Sequence, residues 1–197
     1  MLASLPPLRP YQQRVFDSII SSDRAANDSG IVSAPTGCGK SLIMAYLYRH
    51  WTEVEGLSVL VVCWELSVRA ALATRYGVPC AVSPSSRAVS DALEGRSVKP
   101  DIVIIDEVHH YDATEEGAEA HAWHKIYDLP RTRWIGFSAT PLDIDLVRWR
   151  ISYSELRADG WIPTADRLSA VVCTSLSEAL AATDQPDTYC VTYISEQ

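Results

Sequence analysis

The chain has 197 residues, 47% of them hydrophobic, and a formal net charge of −8 at pH 7. These values allow one substantial core with a short extension, and they exclude a general nucleic-acid coat or a membrane-surface binder. The five cysteines include no Cys-x-x-Cys pair and are odd in number, so we expect a reduced, cytoplasmic chain. The N-terminal segment lacks the basic and long apolar regions of a secretory signal, and no membrane association is expected.

Short apolar runs alternate with helical patterns along the chain. The runs are almost continuously apolar, as strands buried on both faces tend to be. They predict strands at residues 30–34, 58–63, 79–82, 101–106 and 134–139. Helices are predicted at residues 41–51, 65–75, 85–94 and 115–128. This alternation predicts an α/β fold with a mainly parallel central sheet flanked by helices. Residues 142–165 read as polar and helical, and the tail beyond them holds two further strand-like runs, AVVCT and TYCVTY.

The segment SAPTGCGKS, residues 33–41, follows the first predicted strand and opens a predicted helix. This context and spacing indicate a phosphate-binding loop rather than an ordinary glycine-rich turn. Gly37 and Gly39 would let backbone N–H groups face phosphate oxygens, and the helix N-terminus would add its dipole. Lys40 would reach the β- and γ-phosphates of ATP, and the Ser41 hydroxyl would join Mg²⁺. The nucleotide would be lined by Pro35, Thr36, Gly37, Cys38, Gly39, Lys40 and Ser41.

Cys38 lies inside this loop. A thiol beside a lysine and a helix N-terminus can have a lowered pKa and become reactive. We nevertheless expect Cys38 to be passive, acting as a small apolar residue.

The run DIVIID, residues 101–106, ends in a carboxylate, and a second carboxylate follows it. Asp106 would hold Mg²⁺ through water, and Glu107 would orient or deprotonate the attacking water. The alternative is a strand running into an acidic turn, which the phosphate-binding loop upstream disfavours.

Four of the five histidines fall within one short window, at positions 109, 110, 121 and 124. Adjacent histidines diverge on a strand or helix, whereas His121 and His124 can share a helix face only as a pair. Zinc sites need three or four converging ligands, and no cysteine lies nearby. A zinc site is therefore disfavoured.

Taken jointly, APTGCGKS, DEVHH and GFSATP resemble motifs I, II and III of superfamily 2 helicases and translocases. LRPYQ, residues 8–12, resembles the adenine-reading segment of the type III restriction-subunit-like branch, and residues 151–166 resemble the segment that follows motif III there. The resemblance covers about residues 8–170. It implies a RecA-like ATP-binding domain at residues 1–165. Residues 166–197 would be an extension packed on that domain or leading toward a second RecA-like domain.

The resemblance also implies roles for individual residues. Gln12 would read the adenine edge by two hydrogen bonds, and Arg9, with Tyr11, would stack on or flank the base. On its own, this run is an ordinary helix entry with a proline at an early helical position. His109 would sense the nucleotide state and pass it to motif III. The two motif III residues linking the ATP site to the nucleic-acid site would be Ser138 and Thr140.

Motif Ia departs from the family pattern. The corresponding stretch reads VVCWELSVRAAL; it lacks the proline, and Trp64 replaces a basic or small residue. Arg69 and Arg75 remain as candidate phosphate contacts. Trp64 could stack on a base, but a tryptophan buried at the sheet end is the favoured interpretation. VSPSSR, residues 82–87, fits a plain turn or a contact with a sugar-phosphate backbone.

The sequence therefore favours the ATP–Mg²⁺-binding half of a superfamily 2 helicase or translocase. DNA is the expected nucleic acid and RNA the alternative. The chain ends before motifs IV to VI and has no arginine after Arg167, so we expect a protein partner or a removed segment to supply arginine fingers. The rival is a stand-alone nucleotide-binding module with a regulatory or inhibitory role. A non-helicase NTPase is disfavoured by DEVHH together with SAT.

Overall fold

The computed structural model describes residues 5–22, 28–79, 81–83, 86–93, 96, 99–111, 132–141 and 143–161. The chain divides into two compact units, Met1–Leu156 and Arg157–Gln197. The predicted domain boundary at residue 165 lies outside the described residues and stays a prediction. The elements in chain order are α1 (Pro10–Ser21), β1 (Gly30–Ser33), α2 (Lys40–Arg49), a π-helical turn (His50–Val54), β2 (Val59–Val62), α3 (Leu66–Tyr76), β3 (Ala81–Val82), α4 (Arg87–Leu93), β4 (Ile102–Ile105), a 3₁₀ helix (Val108–Tyr111), β5 (Arg133–Ser138), β6 (Val147–Arg150) and α5 (Tyr153–Ala158).

The strands form one six-stranded sheet in the order β3-β2-β4-β5-β1-β6, and every pairing is parallel. The central strands β4 and β5 are buried along their whole length, as their nearly continuous apolar sequences predict. The predicted α/β fold with a mainly parallel sheet is confirmed. Because β4, β5 and β1 are neighbours, the loops that follow them meet at one edge of the sheet, where open α/β sheets bind their ligands.

One part of the predicted element pattern is wrong. Residues 142–165 include an edge strand, β6, which pairs with β1 through Ile31 and Val147. Only Trp149 of this strand is buried, and its two arginines are exposed. An edge strand with one buried position has no continuous apolar run, so its sequence resembles a polar segment. The predicted helix at 115–128 and the two tail strands lie outside the described residues.

Helix α1 is anchored to the sheet at its C-terminal end. The guanidinium of Arg133, at the start of β5, donates hydrogen bonds to the carbonyls of Ile19 (2.9 Å) and Asp28 (2.8 Å). It also lies over the ring of the fully buried Trp51, 5.6 Å from the centroid. The buried face of α1 consists of Tyr11, Gln12, Val15, Phe16 and Ile19. Pro10 is the first helical residue, where its missing N–H is harmless. This anchoring holds the N-terminal end of α1 beside the loop after β1.

Among the described residues, no helix is both long enough and apolar enough to cross a membrane.

Candidate functional site

The loop between β1 and α2 has the backbone of a phosphate cradle. Gly37 and Gly39 adopt left-handed conformations with φ of 80° and 85°, which favour glycine. Gly39 is the N-cap of α2, so this helix directs its N-terminus into the loop. The N–H of Ala34 donates to the carbonyl of Ser138 at 2.9 Å and fixes the start of the loop against the end of β5.

Helix α1 holds the loop from the other side. The Tyr11 hydroxyl and the Gln12 amide both donate to the carbonyl oxygen of Cys38, at 3.0 and 2.9 Å. The Gln12 Oε1 atom accepts the N–H of Arg9 at 2.9 Å, and the Arg9 guanidinium donates to the Tyr11 hydroxyl at 3.2 Å. Tyr11 and Gln12 are each only 2% exposed. LRPYQ therefore lies on the loop, but the reading of adenine by Gln12 stays a prediction.

Lys40 and Glu107 form an ion pair across the site, with 3.2 Å between Nζ and Oε1. Lys40 is buried at the start of α2, and Glu107 follows β4 by two residues. Glu107 has a φ of 47°, a conformation that is strained for a residue with a side chain. The fold thus places a lysine and a carboxylate from distant parts of the chain in direct contact.

Asp106 immediately follows β4 and is 3% exposed. Burial, together with the negative charge of Glu107, raises the pKa of Asp106 to about 6, although Lys40 opposes the shift. A carboxylate buried beside a second carboxylate is stabilised by a cation. Ser41, in the first turn of α2, supplies a hydroxyl, and Mg²⁺ needs only one or two such protein oxygens beside water and phosphate. The residues present fit Mg²⁺.

His109 connects the acidic turn to the end of β5. Its Nδ1 atom lies 2.9 Å from the Ser138 hydroxyl and 3.4 Å from a Glu107 carboxylate oxygen. The Ser138 hydroxyl in turn accepts the N–H of Thr140 at 3.0 Å. An unbroken line of polar contacts therefore runs from Lys40 to the backbone of Thr140.

The close approach of the 3₁₀ helix to β5 depends on Gly136. A Cβ at this position would lie 2.9 Å from side-chain atoms of Val108. The 3₁₀ helix that carries His109 can therefore pack this closely on β5 only because residue 136 has no side chain.

Among the residues that the structure describes, His109 is the histidine for which these contacts are observed. His110 belongs to the 3₁₀ helix, while His121 and His124 lie outside the described residues. Within the described part of the chain, no group of three or more His, Cys, Asp or Glu residues is placed to hold a metal ion.

Cys38 is buried, and burial raises the pKa of its thiol despite the opposing charge of Lys40. Desolvation of the thiolate therefore outweighs attraction to the lysine, which supports a passive residue. Cys63, directly after β2, is also buried with a raised pKa.

The motif Ia stretch corrects one expectation. Trp64 is 43% exposed beyond the end of β2, so the prediction of a buried tryptophan is wrong. The residue lies in the turn between β2 and α3, beyond the part of β2 that is paired in the sheet, and its side chain is therefore not covered. The Arg75 guanidinium lies over the Tyr76 ring, and Arg87 pairs with Asp91 at 3.5 Å. Phosphate contacts by these arginines, by Arg69 or by Ser83 and Ser86 stay predictions, and Ser85 is outside the described residues.

Together, the all-parallel sheet, the loop after β1 and the acidic turn after β4 define a RecA-like P-loop domain. The family model for the type III restriction enzyme, res subunit, matches residues 5–77 and 82–143. The chain belongs to this family, and its sheet has the RecA-like fold.

A solved structure shares the fold, and a second one is also similar. The Hef helicase domain of Pyrococcus furiosus has a TM-score of 0.54 at 16% identity, with 81% of this chain and 42% of that chain covered. The SWI2/SNF2 ATPase core of Sulfolobus solfataricus in complex with dsDNA has a TM-score of 0.49 at 15% identity, with 98% and 47% covered. The chain thus spans less than half the length of these proteins. No curated protein matches it significantly.

Proposed function

We propose that the chain is the ATP-binding half of a superfamily 2 DNA helicase or translocase, which couples hydrolysis of ATP to binding or remodelling of nucleic acid. The observation that most directly supports this proposal is the line of contacts from Lys40 through Glu107 and His109 to Ser138. It joins the loops after β1, β4 and β5, which are the three loops that a nucleotide at this edge of the sheet would touch.

The present pairing of Lys40 with Glu107 suggests how binding starts. The triphosphate attracts Lys40 more strongly than one carboxylate does, so Lys40 would turn to the phosphates and release Glu107. Glu107 would then orient and deprotonate the attacking water. Asp106 and Ser41 would hold Mg²⁺, which neutralises charge that develops on the phosphates.

His109 would report this change. Its Nδ1 atom contacts both the Glu107 carboxylate and the Ser138 hydroxyl. When Glu107 moves, the balance between these two contacts changes, and the Thr140 N–H bound to Ser138 is affected next. Thr140 is exposed and is therefore placed to pass the change to a nucleic acid.

A second RecA-like domain, on a partner chain or elsewhere in a longer protein, would complete the site with arginine fingers. Such an arginine changes turnover by about 10³–10⁵-fold. We therefore expect the chain alone to bind ATP–Mg²⁺ and to hydrolyse it slowly.

ATP binding and ATPase turnover, measured with and without single- and double-stranded DNA and with candidate partners, test this function. Lys40→Ala should weaken ATP binding by about tenfold or more, because it removes a charged phosphate contact. Glu107→Gln should retain binding and lower turnover by about 10²-fold or more. Glu53→Gln, which changes a half-exposed glutamate on the π-helical turn, is the matched control.

Absence of ATP binding by the chain would contradict the proposal. Strong DNA-stimulated turnover by the isolated chain would contradict the need for a second domain. ATP binding that neither nucleic acid nor a partner affects would favour the stand-alone nucleotide-binding module.

A further inference from the structure

Arg133 is a buried cation at the end of the sheet opposite to the phosphate-binding loop. It is the first residue of β5, whose last residue, Ser138, accepts the N–H of Ala34 at the start of the loop. Arg133 is only 3% exposed. A charge buried to this extent is tolerated where hydrogen bonds compensate for the lost water. The groups that bind the guanidinium therefore have a defined position relative to β5.

The guanidinium holds the far end of α1. It donates hydrogen bonds to the Ile19 carbonyl at 2.9 Å and to the Ser22 hydroxyl, which in turn donates to the same carbonyl at 2.7 Å. The last carbonyls of a helix have no partner within the helix, and the helix dipole favours a cation there. The last turn of α1 contains no basic residue. Arg133 therefore supplies, from the sheet, the cation that α1 lacks.

The same guanidinium holds the far end of α2. The π-helical turn His50–Val54 continues α2 directly, and it carries Trp51, which is fully buried. The guanidinium carbon of Arg133 lies 5.6 Å from the centroid of the Trp51 ring. A cation over an indole face is attracted by the π-electrons, most strongly where water is excluded. One side chain thus contacts both helices at their ends remote from the loop.

The near ends of these two helices support the loop. Gly39 caps α2, and the Tyr11 hydroxyl, in the first turn of α1, donates to the Cys38 carbonyl at 3.0 Å. The guanidinium contacts lie roughly 12 Å from these near ends along α1 and roughly 16 Å along α2, at a rise of about 1.5 Å per residue. An edge-to-face contact of 5.9 Å between the rings of Phe16 and Tyr46 joins the two helices along their length. A shift at the far ends would therefore displace the near ends and the loop between them.

We propose that Arg133 is a positioning residue for the phosphate-binding loop. It holds the far ends of α1 and α2 at one spacing, and this spacing sets the geometry in which the loop meets a triphosphate. This inference rests on the proposed function and adds to it a residue that touches no substrate. A second tie on α1, from Arg14 to Glu155, is half exposed, and exposed ion pairs contribute little.

The test measures binding of ATP and of inorganic tripolyphosphate, each with Mg²⁺, by calorimetry at a temperature where circular dichroism shows each variant folded. Tripolyphosphate has no base, so it reports on the loop alone. Arg133→Met, which removes the charge and all the hydrogen bonds, should weaken both ligands about tenfold, the scale of one lost buried hydrogen bond. Arg133→Lys keeps the charge but not the planar fork, so its effect should lie between wild type and Arg133→Met.

Two neighbouring variants separate positioning from loss of stability. Thr132→Val removes the buried hydrogen bond from Thr132 to the Pro100 carbonyl, next to Arg133 but without contact to α1. It should lower the unfolding free energy in urea and leave both affinities unchanged. Ser22→Ala removes one acceptor of Arg133 at the half-buried end of α1. It should weaken both ligands about twofold to threefold, and it keeps the test decisive if Arg133→Met does not fold.

A double-mutant cycle tests the route through α1. Tyr11→Phe removes the hydroxyl that bonds the Cys38 carbonyl and keeps the ring. In this background, Arg133→Lys and Ser22→Ala should weaken tripolyphosphate by a smaller factor than in the wild-type chain, because part of the connection is already lost. Factors that simply multiply would show that Arg133 does not act through this bond.

Unchanged affinity for both ligands in folded Arg133→Lys and Ser22→Ala, with lower stability as in Thr132→Val, would overturn the inference and leave the proposed function intact. Failure of the wild-type chain to bind ATP and tripolyphosphate alike would overturn both.

Discussion

The Nδ1 atom of His109 lies 2.9 Å from the hydroxyl oxygen of Ser138. This contact joins the turn after β4 to the last residue of β5, two segments that are 29 residues apart in the chain. Ser138 also accepts the N–H of Thr140. A displacement of the imidazole therefore reaches the backbone beyond β5 through only two hydrogen bonds.

A double-mutant cycle should detect this contact. His109→Ala and Ser138→Ala should show a coupling free energy of about 0.5–1.5 kcal/mol, since each removes the same hydrogen bond. Urea unfolding of the wild-type chain, both single variants and the double variant gives the value. Ser58→Ala, at the opposite edge of the sheet, is the control. When it is combined with Ser138→Ala, the two changes in unfolding free energy should simply add. Coupling close to zero for His109 and Ser138 would contradict the contact.

The two glycines of the phosphate-binding loop should respond differently to alanine. Both have positive φ, so each substitution strains the backbone by about 1–2 kcal/mol. A Cβ at Gly37 meets no atom within 4 Å, whereas a Cβ at Gly39 meets Gln12 Nε2 at 2.4 Å. Gly39→Ala should therefore destabilise the chain more than Gly37→Ala in urea unfolding. In a Gln12→Ala background, Gly39→Ala should destabilise the chain no more than Gly37→Ala does. A larger destabilisation by Gly39→Ala in that background would contradict the collision with Gln12.

Gly136→Ala should destabilise the chain by about 1–3 kcal/mol, the usual cost of overpacking. The new methyl group would collide with Val108, whose Cβ and two Cγ atoms lie 2.9–3.0 Å from its position. Val108→Ala should relieve part of this cost, because it removes the two Cγ atoms. Thermal or urea unfolding of the two single variants and the double variant measures the relief. Additive effects would show that the 3₁₀ helix does not rest on Gly136.

The sequence predicts the strands β1 to β5 and the loop after β1 because their signals are local. Apolar runs mark buried strands, and glycines at positions 37 and 39 mark the curled backbone. Edge strand β6 has only Trp149 buried, so its pattern is indistinguishable from a polar segment. The hydrogen bonds from Tyr11 and Gln12 to Cys38 were not predictable, because they depend on where α1 lies on the sheet. The role of Arg133 was not predictable either, because the sequence gives no sign that its buried guanidinium fixes the position of α1 on the sheet.

The link between the starts of β2 and β4 should weaken in acid. Asp101 accepts the Ser58 N–H at 2.8 Å and the Ser58 hydroxyl at 2.7 Å, and these bonds lower the pKa of its carboxyl. A lowered pKa means that the stabilisation is present above the ordinary aspartate pKa of about 3.9 and is lost as pH falls through the lowered value. Because Asp101 is exposed, we expect the link to contribute only about 0.5–1 kcal/mol.

Ser58→Ala tests this link. Its unfolding free energy should fall below that of the wild-type chain at pH 6, and the difference should shrink below about pH 4 as Asp101 becomes protonated. Urea unfolding at a series of pH values measures the difference. A gap of the same size at pH 6 and at pH 2.5 would show that the bond from the Ser58 hydroxyl to the Asp101 carboxylate contributes nothing.

The left-handed backbone of Glu107 has a consequence for attempts to improve this protein. Glycine, asparagine and aspartate adopt such a conformation at lower cost. None of them carries a carboxylate as far from the backbone as the one that contacts Lys40. The contact with Lys40 requires a side chain as long as glutamate, whereas the left-handed backbone at this position disfavours glutamate. Selection of variants for thermal stability alone would therefore favour replacement of Glu107. The selected variants would be more stable, but they would lack the carboxylate that we propose activates water.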